Sequence, residues 1–576
     1  VGDRAGRFPF DADGIPSLVL GAAVAVGFAW GLPGADSWAA DSISPRSCGL
    51  GAIAATYLPG QYHTYPPLQM ALLTVVSLPW MALAAARVGM NVGALGDELI
   101  KPLYMTGIEV SARLVTAFMA LGVLRAVTVF WTRLAGRAAG WVAGAVTATN
   151  AVFVYYAHTG NLEVPYLFWI AWALVEMDRV QAGERREVRA LLCCAAAALT
   201  KDQAIAALLL PLGWALVVVP WAARRELPTR PALVRGVAAS AAVYAVASGA
   251  LTNPSGFARR VAFLLGPASQ SWAKYPRGFH GALAMARDVV AATPHFTSWG
   301  VAALAAAGLG VAAGRARTLE GARFLLPLWA AASFTVFFTL GARRTEDRFL
   351  LPQAVFFLPY GALCLELAGA RRGAVRAALA LVGSAALLGA LVGVASLDAT
   401  LLADPRYEAE RFLASLPAGA HVEVYGGPIF LPRVPPALVA ARPGVEPSSE
   451  RQHIPGVVEL VDPAMDPRPR APAAIVLATE LSNRESLEPP AASLPFALAQ
   501  YRDARSHALF RALADGSYGF ERVLTAKCSV PPPLSCRSVH ASTAGEVWIY
   551  APRRAGPAIQ SQSARSNTNT GQPTLP

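Results

Sequence analysis

The chain has 576 residues, 55% hydrophobic and only 15% charged, with a mean hydropathy of +0.42. A soluble domain carries about 25% charged residues, so an ordinary soluble globular enzyme is excluded. The net charge of +12 is almost all arginine, Lys101, Lys201, Lys274 and Lys527 being the only lysines, and much of it sits in short loops between apolar runs. That distribution argues against nucleic acid as a partner.

Apolar runs of membrane-crossing length recur before residue 400. They make the expected fold a polytopic α-helical membrane protein with about 11 transmembrane helices. Residues 1–14 read as a cytoplasmic tail. The spans follow at 15–33, 109–131, 139–157, 164–178, 190–200, 203–220, 232–250, 294–314, 323–341, 349–368 and 374–397. The first is read as retained, not as a cleaved signal.

Asp36 and Asp41 follow the first span, with Trp38 between them, and Tyr62-His63-Thr64-Tyr65-Pro66-Pro67-Leu68 comes later. Carboxylates at a bilayer edge are costly unless paired, hydrated or used. An ordered interfacial loop, in which Asp41 serves as a base, is weighed against plain hydrated loop acids. Residues 68–86 are apolar enough to span, but crossing there would invert every later loop. They are read as a re-entrant or interfacial pair broken at Pro79 within a long first outer loop, 34–108.

Five basic loops recur further on: Arg133/Arg137, Arg185/Arg186/Arg189, Arg224/Arg225/Arg230/Arg235, Arg315/Arg317/Arg323 and Arg371/Arg372/Arg376. The positive-inside rule assigns them to the cytoplasm. The opposite face then receives His158–Val164, the Lys201-Asp202 turn, Arg343–Arg348 and the C-terminal part.

Glu163 reads either as a helix N-terminal acid favoured by the dipole or as a second acid of an outer cavity. Lys201 interrupts a 30-residue apolar stretch, 190–219, too long for one span at about 1.5 Å per residue. It pairs with a nearby acid or receives a phosphate. Arg343, Arg344 and Arg348 face only Glu346 and Asp347, so at least one arginine is left for an anion, whose geometry suits guanidinium. The loop 251–293, with Arg259, Arg260, Lys274, Tyr275, Arg277 and His280, is a solvated loop or a cover over an anionic headgroup. No HExxH, CxxC or Walker signature appears, so neither metal nor cofactor is expected.

Beyond residue 400 the pattern changes to short strands and helices: Arg406–Leu416 helical, His421–Tyr425 and Ala474–Leu477 extended, Ser506–Asp515 helical and Glu546–Tyr550 extended. This predicts a small α/β domain over 400–554, with a disordered tail at 555–576. Cys528 and Cys536 share one loop and pair if it lies outside the cytoplasm. Cys193, Cys194 and Cys364 read as packing residues, and Cys48 has no evident partner.

In order, Asp41, Tyr65-Pro66-Pro67-Leu68, Gly160-Asn161-Leu162-Glu163-Val164-Pro165, Leu199-Thr200-Lys201-Asp202 and Arg348-Phe349-Leu350-Leu351-Pro352 resemble the GT-C superfamily of membrane glycosyltransferases. The bacterial branch is similar to protein O-mannosyltransferases and lipid A aminoarabinose transferases. The resemblance covers residues 15 to about 400. It implies an inverting transfer from a polyprenyl-phosphate-sugar donor to a glycan, lipid or protein acceptor at the periplasmic face of a bacterial inner membrane.

It further implies that Asp41 is the general base and that Glu163 occupies the second acidic position. Lys201 and Arg348 would handle the lipid phosphate, with Arg343, Arg344, Tyr65 and His158 as further substrate-binding candidates. The chain departs from the pattern in having Ser42 after Asp41 where Glu is usual, and Glu at 163 where Asp is commoner. The alternative is a transporter or lipid flippase. Such proteins repeat their halves and bury polar groups at mid-membrane, neither of which is read here.

Overall fold

The computed structural model describes residues 14–34, 37–39, 42, 49–219, 230–270, 273–318, 320–370, 373–425, 428–434, 439–440, 472–478, 511–539, 543 and 545–553. Asp36, Asp41, Cys48, residues 1–13, the tail 555–576 and half of the expected helix Ser506–Asp515 lie outside these residues.

Four described helices are long and apolar enough to cross a membrane: Pro67–Arg87, Pro102–Ala148, Gly321–Ala342 and Ala374–Ala414. A fifth candidate is the pair Phe279–Phe296 and Trp299–Arg315, bent by 118°. The chain is a multi-pass membrane protein by this criterion.

Several expected spans are assembled from pieces, so helix length alone does not return eleven. The 47-residue helix Pro102–Ala148 contains a non-helical Gly136 at φ 83, a left-handed conformation that suits glycine. The stretch 139–157 breaks at Thr149-Asn150, where the Asn150 side chain accepts from the Phe153 amide and starts Ala151–Ala157. The stretch 349–368 runs through Asp347–Phe357, a 3₁₀ turn at Leu358–Tyr360 and Gly361–Ala370.

The expectation of a broken pair over 68–86 is corrected. Pro67–Arg87 is one helix that continues through Pro79. A proline removes one backbone bond, and here its neighbour is pinned by packing. The Trp80 indole donates to Ser111 Oγ at 3.1 Å, and its ring lies where a Cβ on Gly107 would stand. Met70 and Leu73 cluster with Ala112 and Leu162.

The central layer is built from Ala- and Val-rich helices. Glu163–Gln181 packs against Pro102–Ala148 and Glu187–Thr200, and Leu326–Phe334 packs on Ala204–Gly213. Trp131 and Tyr360, both fully buried, meet edge to face at 5.1 Å. Trp299–Arg315 lies so close to the Tyr360-Gly361 backbone that only glycine fits at Gly308.

The two ends of Glu163–Gln181 carry different chemistry. Near its C-terminus the buried Asp178 binds Arg133 Nε and Arg323 Nε, both at 2.7 Å, while Arg133 also reaches Glu184 at 3.0 Å. These arginines come from two of the basic loops. Glu163 stands at the other end, fifteen residues or about 22 Å away.

The C-terminal residues form a mixed sheet of five strands: β1 His421–Tyr425, β2 Val439–Ala440, β3 Ala474–Ala478, β4 Phe520–Ala526 and β5 Val547–Pro552. The order is β2-β1-β3-β5-β4, with β1 parallel to β2 and β3, and β5 antiparallel to β3 and β4. Pro405–Ala414 covers it through Ala409 and Leu413. A Cys528–Cys536 disulfide closes the loop after β4.

Candidate active site

Lys201 and Glu163, 38 residues apart, form one buried ion pair. Glu187–Thr200 ends at Lys201, which is extended (φ −153°, ψ 123°), and the next helix starts at Ala204. This break turns the ammonium inward, and Nζ donates to Glu163 Oε1 at 2.6 Å. Only 7% of Lys201 and 2% of Glu163 are exposed. Each charge compensates the desolvation of the other, so removing either leaves its partner uncompensated. Nζ also lies 5.3 Å from the Tyr166 ring centre. Asp202 points elsewhere, to Arg260 at 3.1 Å, and burial pushes its carboxyl up to about 6 against the opposing pull of that guanidinium.

Tyr65 and Tyr156 connect this pair to the arginine loop. Tyr65 is half-buried, within electrostatic reach of Glu163 and Arg344. Burial first, and the Glu163 carboxylate second, push its phenol up to about 12, with Arg344 opposing. Tyr65 is therefore a neutral hydrogen-bond donor at physiological pH. Tyr156 lies within reach of both Glu163 and Asp347, and the hydroxyls of Tyr156 and Tyr166 have no hydrogen-bond partner among the described residues.

Arg344 donates from Nε to both Glu346 oxygens, at 3.2 and 3.0 Å. The guanidinium groups of Arg344 and Arg348 each lie 4.6 Å from the Phe349 ring centre. Both cations thus sit on one aromatic ring, whose quadrupole attracts them. Arg343, at φ 55°, turns away and bonds the Tyr275 carbonyl at 2.9 Å and Gln270 at 3.0 Å. It shapes the loop, whereas Arg344 lies within electrostatic reach of Tyr65.

Asp41 lies outside the described residues, but its neighbour Ser42 shows where the chain passes. A Cβ on Gly160 would stand 3.0 Å from Ser42 Oγ and 3.8 Å from Glu109 Oε2. The first outer loop therefore touches the turn that leads into Glu163. Glu109 and Arg113, one helical turn apart, support this contact and were missed by sequence reasoning, which placed 109 at a span edge. Arg113 is fully buried. It donates to Glu109 at 3.1 Å and to the carbonyls of Phe28 and Trp30 at 2.6 and 2.9 Å. It ties the end of the first helix to the long helix. Glu109 Oε2, Arg113 Nη2 and Ser42 Oγ have no hydrogen-bond partner among the described residues. A Glu-x-x-x-Arg pair inside an apolar helix was the available signal.

His158 lies two residues before Gly160. It is fully buried, with Nδ1 2.7 Å from the Val154 carbonyl and Nε2 2.9 Å from that of Ala23, and Asp398 at 3.7 Å. The contact with the Ala23 carbonyl ties this segment to the first helix, Gly14–Gly27. Among the described residues no group of three or more His, Cys, Asp or Glu side chains is arranged to hold a metal ion.

No family model matches the chain, and no curated protein matches it. Among solved structures it is similar to ArnT from Cupriavidus metallidurans bound to undecaprenyl phosphate. The identity is 14% over 95% of this chain and 100% of that one, with a TM-score of 0.48. The apo state of the same protein gives 14% identity over 85% and 99%, with a TM-score of 0.45. The apo Archaeoglobus fulgidus oligosaccharyltransferase gives 14% identity over 69% and 58%, with a TM-score of 0.37.

Proposed function

We propose that the chain transfers a sugar from a polyprenyl-phosphate-linked donor to an acceptor hydroxyl at the periplasmic face of a bacterial inner membrane, with inversion. The observation that carries this reading is one cluster. Ser42 lies beside Gly160, Glu163 pairs with Lys201, Tyr65 is within electrostatic reach of Glu163 and Arg344, and Arg348 shares the Phe349 ring with Arg344. The arginines of two basic loops gather at the other end of the Glu163 helix on Asp178. Positive charge favours the cytoplasmic side, which supports reading the cluster as the outer one. The Cys528–Cys536 disulfide fits the same oxidising side.

The chemistry follows from charge. A lipid phosphate arrives as an anion and leaves with more negative charge as the bond from sugar C1 to the phosphate oxygen breaks. Arg344 and Arg348 stabilise that developing charge, and Tyr65 donates a hydrogen bond to it. The acceptor oxygen attacks C1 from the opposite face and gives its proton to a carboxylate, which we assign to Asp41. Glu163, bonded to Lys201 at 2.6 Å, forms the inner wall of the pocket and orients sugar hydroxyls. No cofactor is assigned a role.

The test uses membranes containing the full chain, supplied with a labelled polyprenyl-phosphate sugar. Asp41→Asn should slow label transfer at least 100-fold while leaving donor binding within twofold. Transfer at the unaltered rate would overturn the assignment of the base. Movement of the donor across the bilayer without bond formation would favour the flippase reading.

A further inference from the structure

The C-terminal module grips the same loop that carries Asp41. Trp38 is 2% exposed and lies between elements that are hundreds of residues apart in the chain. On one side are Trp30, edge to face at 6.1 Å, and the Gly31 backbone, where a Cβ would come within 3.0 Å of the indole. Gly31 also has φ 74, so glycine is required there twice over. On the other side is the module. The Arg406 guanidinium lies 4.1 Å from the Trp38 ring centre, that of Arg433 5.1 Å, and the Tyr407 ring 5.1 Å.

Hydrogen bonds fix the same junction from several directions. Arg433 donates to the Pro33 carbonyl at 2.9 Å and is held by both Glu410 oxygens at 2.6 Å. The Tyr407 hydroxyl accepts from the Gly31 amide at 3.0 Å. Trp30 Nε1 donates to Asp404 at 2.8 Å, and Asp404 in turn binds Arg406 Nε at 2.8 Å. A module attached only by its covalent link to the preceding helix needs none of these contacts. Their target is a backbone turn immediately before the acidic loop.

We propose that Arg433 and Arg406, with Trp38 as the handle, position the first outer loop for catalysis, so that the C-terminal module is part of the working enzyme and not a detachable cap. This rests on the reading of Asp41 as the base. Both arginines act through the loop and are positioning residues.

The experiment follows hydrogen–deuterium exchange of peptides covering residues 34–48 in the full detergent-solubilised chain, together with transfer kinetics. Arg433→Ala should speed exchange there at least tenfold without changing exchange over Glu163–Gln181. It should lower kcat at least tenfold with KM for the lipid donor within twofold. Arg433→Lys, which keeps the cation, should recover half of each loss or more. Trp38→Ala is the second variant, should Arg433→Ala fail to fold. Unaltered exchange in both alanine variants would overturn the proposal, as would faster exchange with kcat unmoved. The exchange readout does not depend on which carboxylate is the base. If Asp41→Asn retains full transfer, the base assignment fails by itself.

Discussion

Lys201 and Glu163 show what a pair hides from a linear reading. Each stood out in the sequence as an ionisable group at the edge of an apolar run, and each admitted both a bland and a functional role. Their meeting at 2.6 Å depends on the helix break at Lys201 and on the turn before Glu163 lying at the same level. No spacing rule encodes that. Glu109 and Arg113 were more accessible to reasoning, because i and i+4 charges on one helix face must meet. They escaped because Glu109 falls where a span edge was drawn. The buried pair allows a sharp expectation. Glu163→Gln or Lys201→Met alone leaves one buried charge uncompensated and should cost about 3–5 kcal/mol of stability. The double variant removes both charges and should regain most of that loss while sugar transfer stays abolished. Thermal unfolding of the purified chain in detergent, with transfer assayed on the same samples, checks both halves. A double variant no more stable than the singles would mean that the pair is not the source of the cost.

At the scale of elements, hydropathy located the apolar stretches well and their breaks poorly. The interruption at Lys201 was legible because a charged Lys-Asp pair sits inside an overlong apolar run. The break at Asn150 was not, since one polar residue in a Val- and Ala-rich segment is compatible with an unbroken helix until its cap bond to Phe153 is seen. Pro79 misled in the other direction: a proline reads as a break, yet the Trp80 contacts hold the helix through it. Close helix packing was invisible for a related reason, since glycines at helix contacts and at free helix surfaces look alike in sequence. Gly308 and Gly310 separate the two cases. A Cβ on Gly308 would lie 1.9 Å from the Tyr360 carbonyl oxygen and 2.6 Å from its carbon, whereas one on Gly310 meets nothing within 4 Å. The obstacle at Gly308 is backbone and cannot swing aside. Gly308→Ala should therefore cost about 1–3 kcal/mol through forced separation of the helices. Gly310→Ala should be neutral or stabilising by up to about 1 kcal/mol through helix propensity. In melting curves Gly308→Ala should fall below wild type and Gly310→Ala should not, and equal losses would refute the packing argument.

For the whole molecule, the question is how the sheet domain is tied to the helices. β1 was legible as an alternating His-Val-Glu-Val-Tyr pattern and β3 as a short apolar run, and every residue of β3 is buried in the structure. β4 was not, because Phe520–Ala526 is an edge strand whose central residues are mostly exposed and whose pattern resembles a loop. Docking runs through two regions. One is the Trp38 junction. The other is the disulfide-closed loop, where the Arg537 amide donates to Thr400 Oγ1 at 2.9 Å and its guanidinium to the Pro294 carbonyl at 2.7 Å. The Ser535 amide reaches Ser396 at 3.3 Å. These contacts join β4, the helix Ala374–Leu402 and the bend before Trp299. Closing the eight-residue separation between Cys528 and Cys536 removes unfolded-state freedom equivalent to about 2–3 kcal/mol, and it presents three polar groups to their partners at once. Cys528→Ser with Cys536→Ser should release this loop before anything else. Limited trypsin digestion of the full chain should then cut at Lys527 and Arg537 at least tenfold faster, while cleavage between the central helices stays at the wild-type rate. Thiol reduction of the wild type should reproduce the pattern without any substitution. Uniform acceleration across the chain would instead mean that the disulfide stabilises the fold as a whole, and that the loop is not a separate point of attachment.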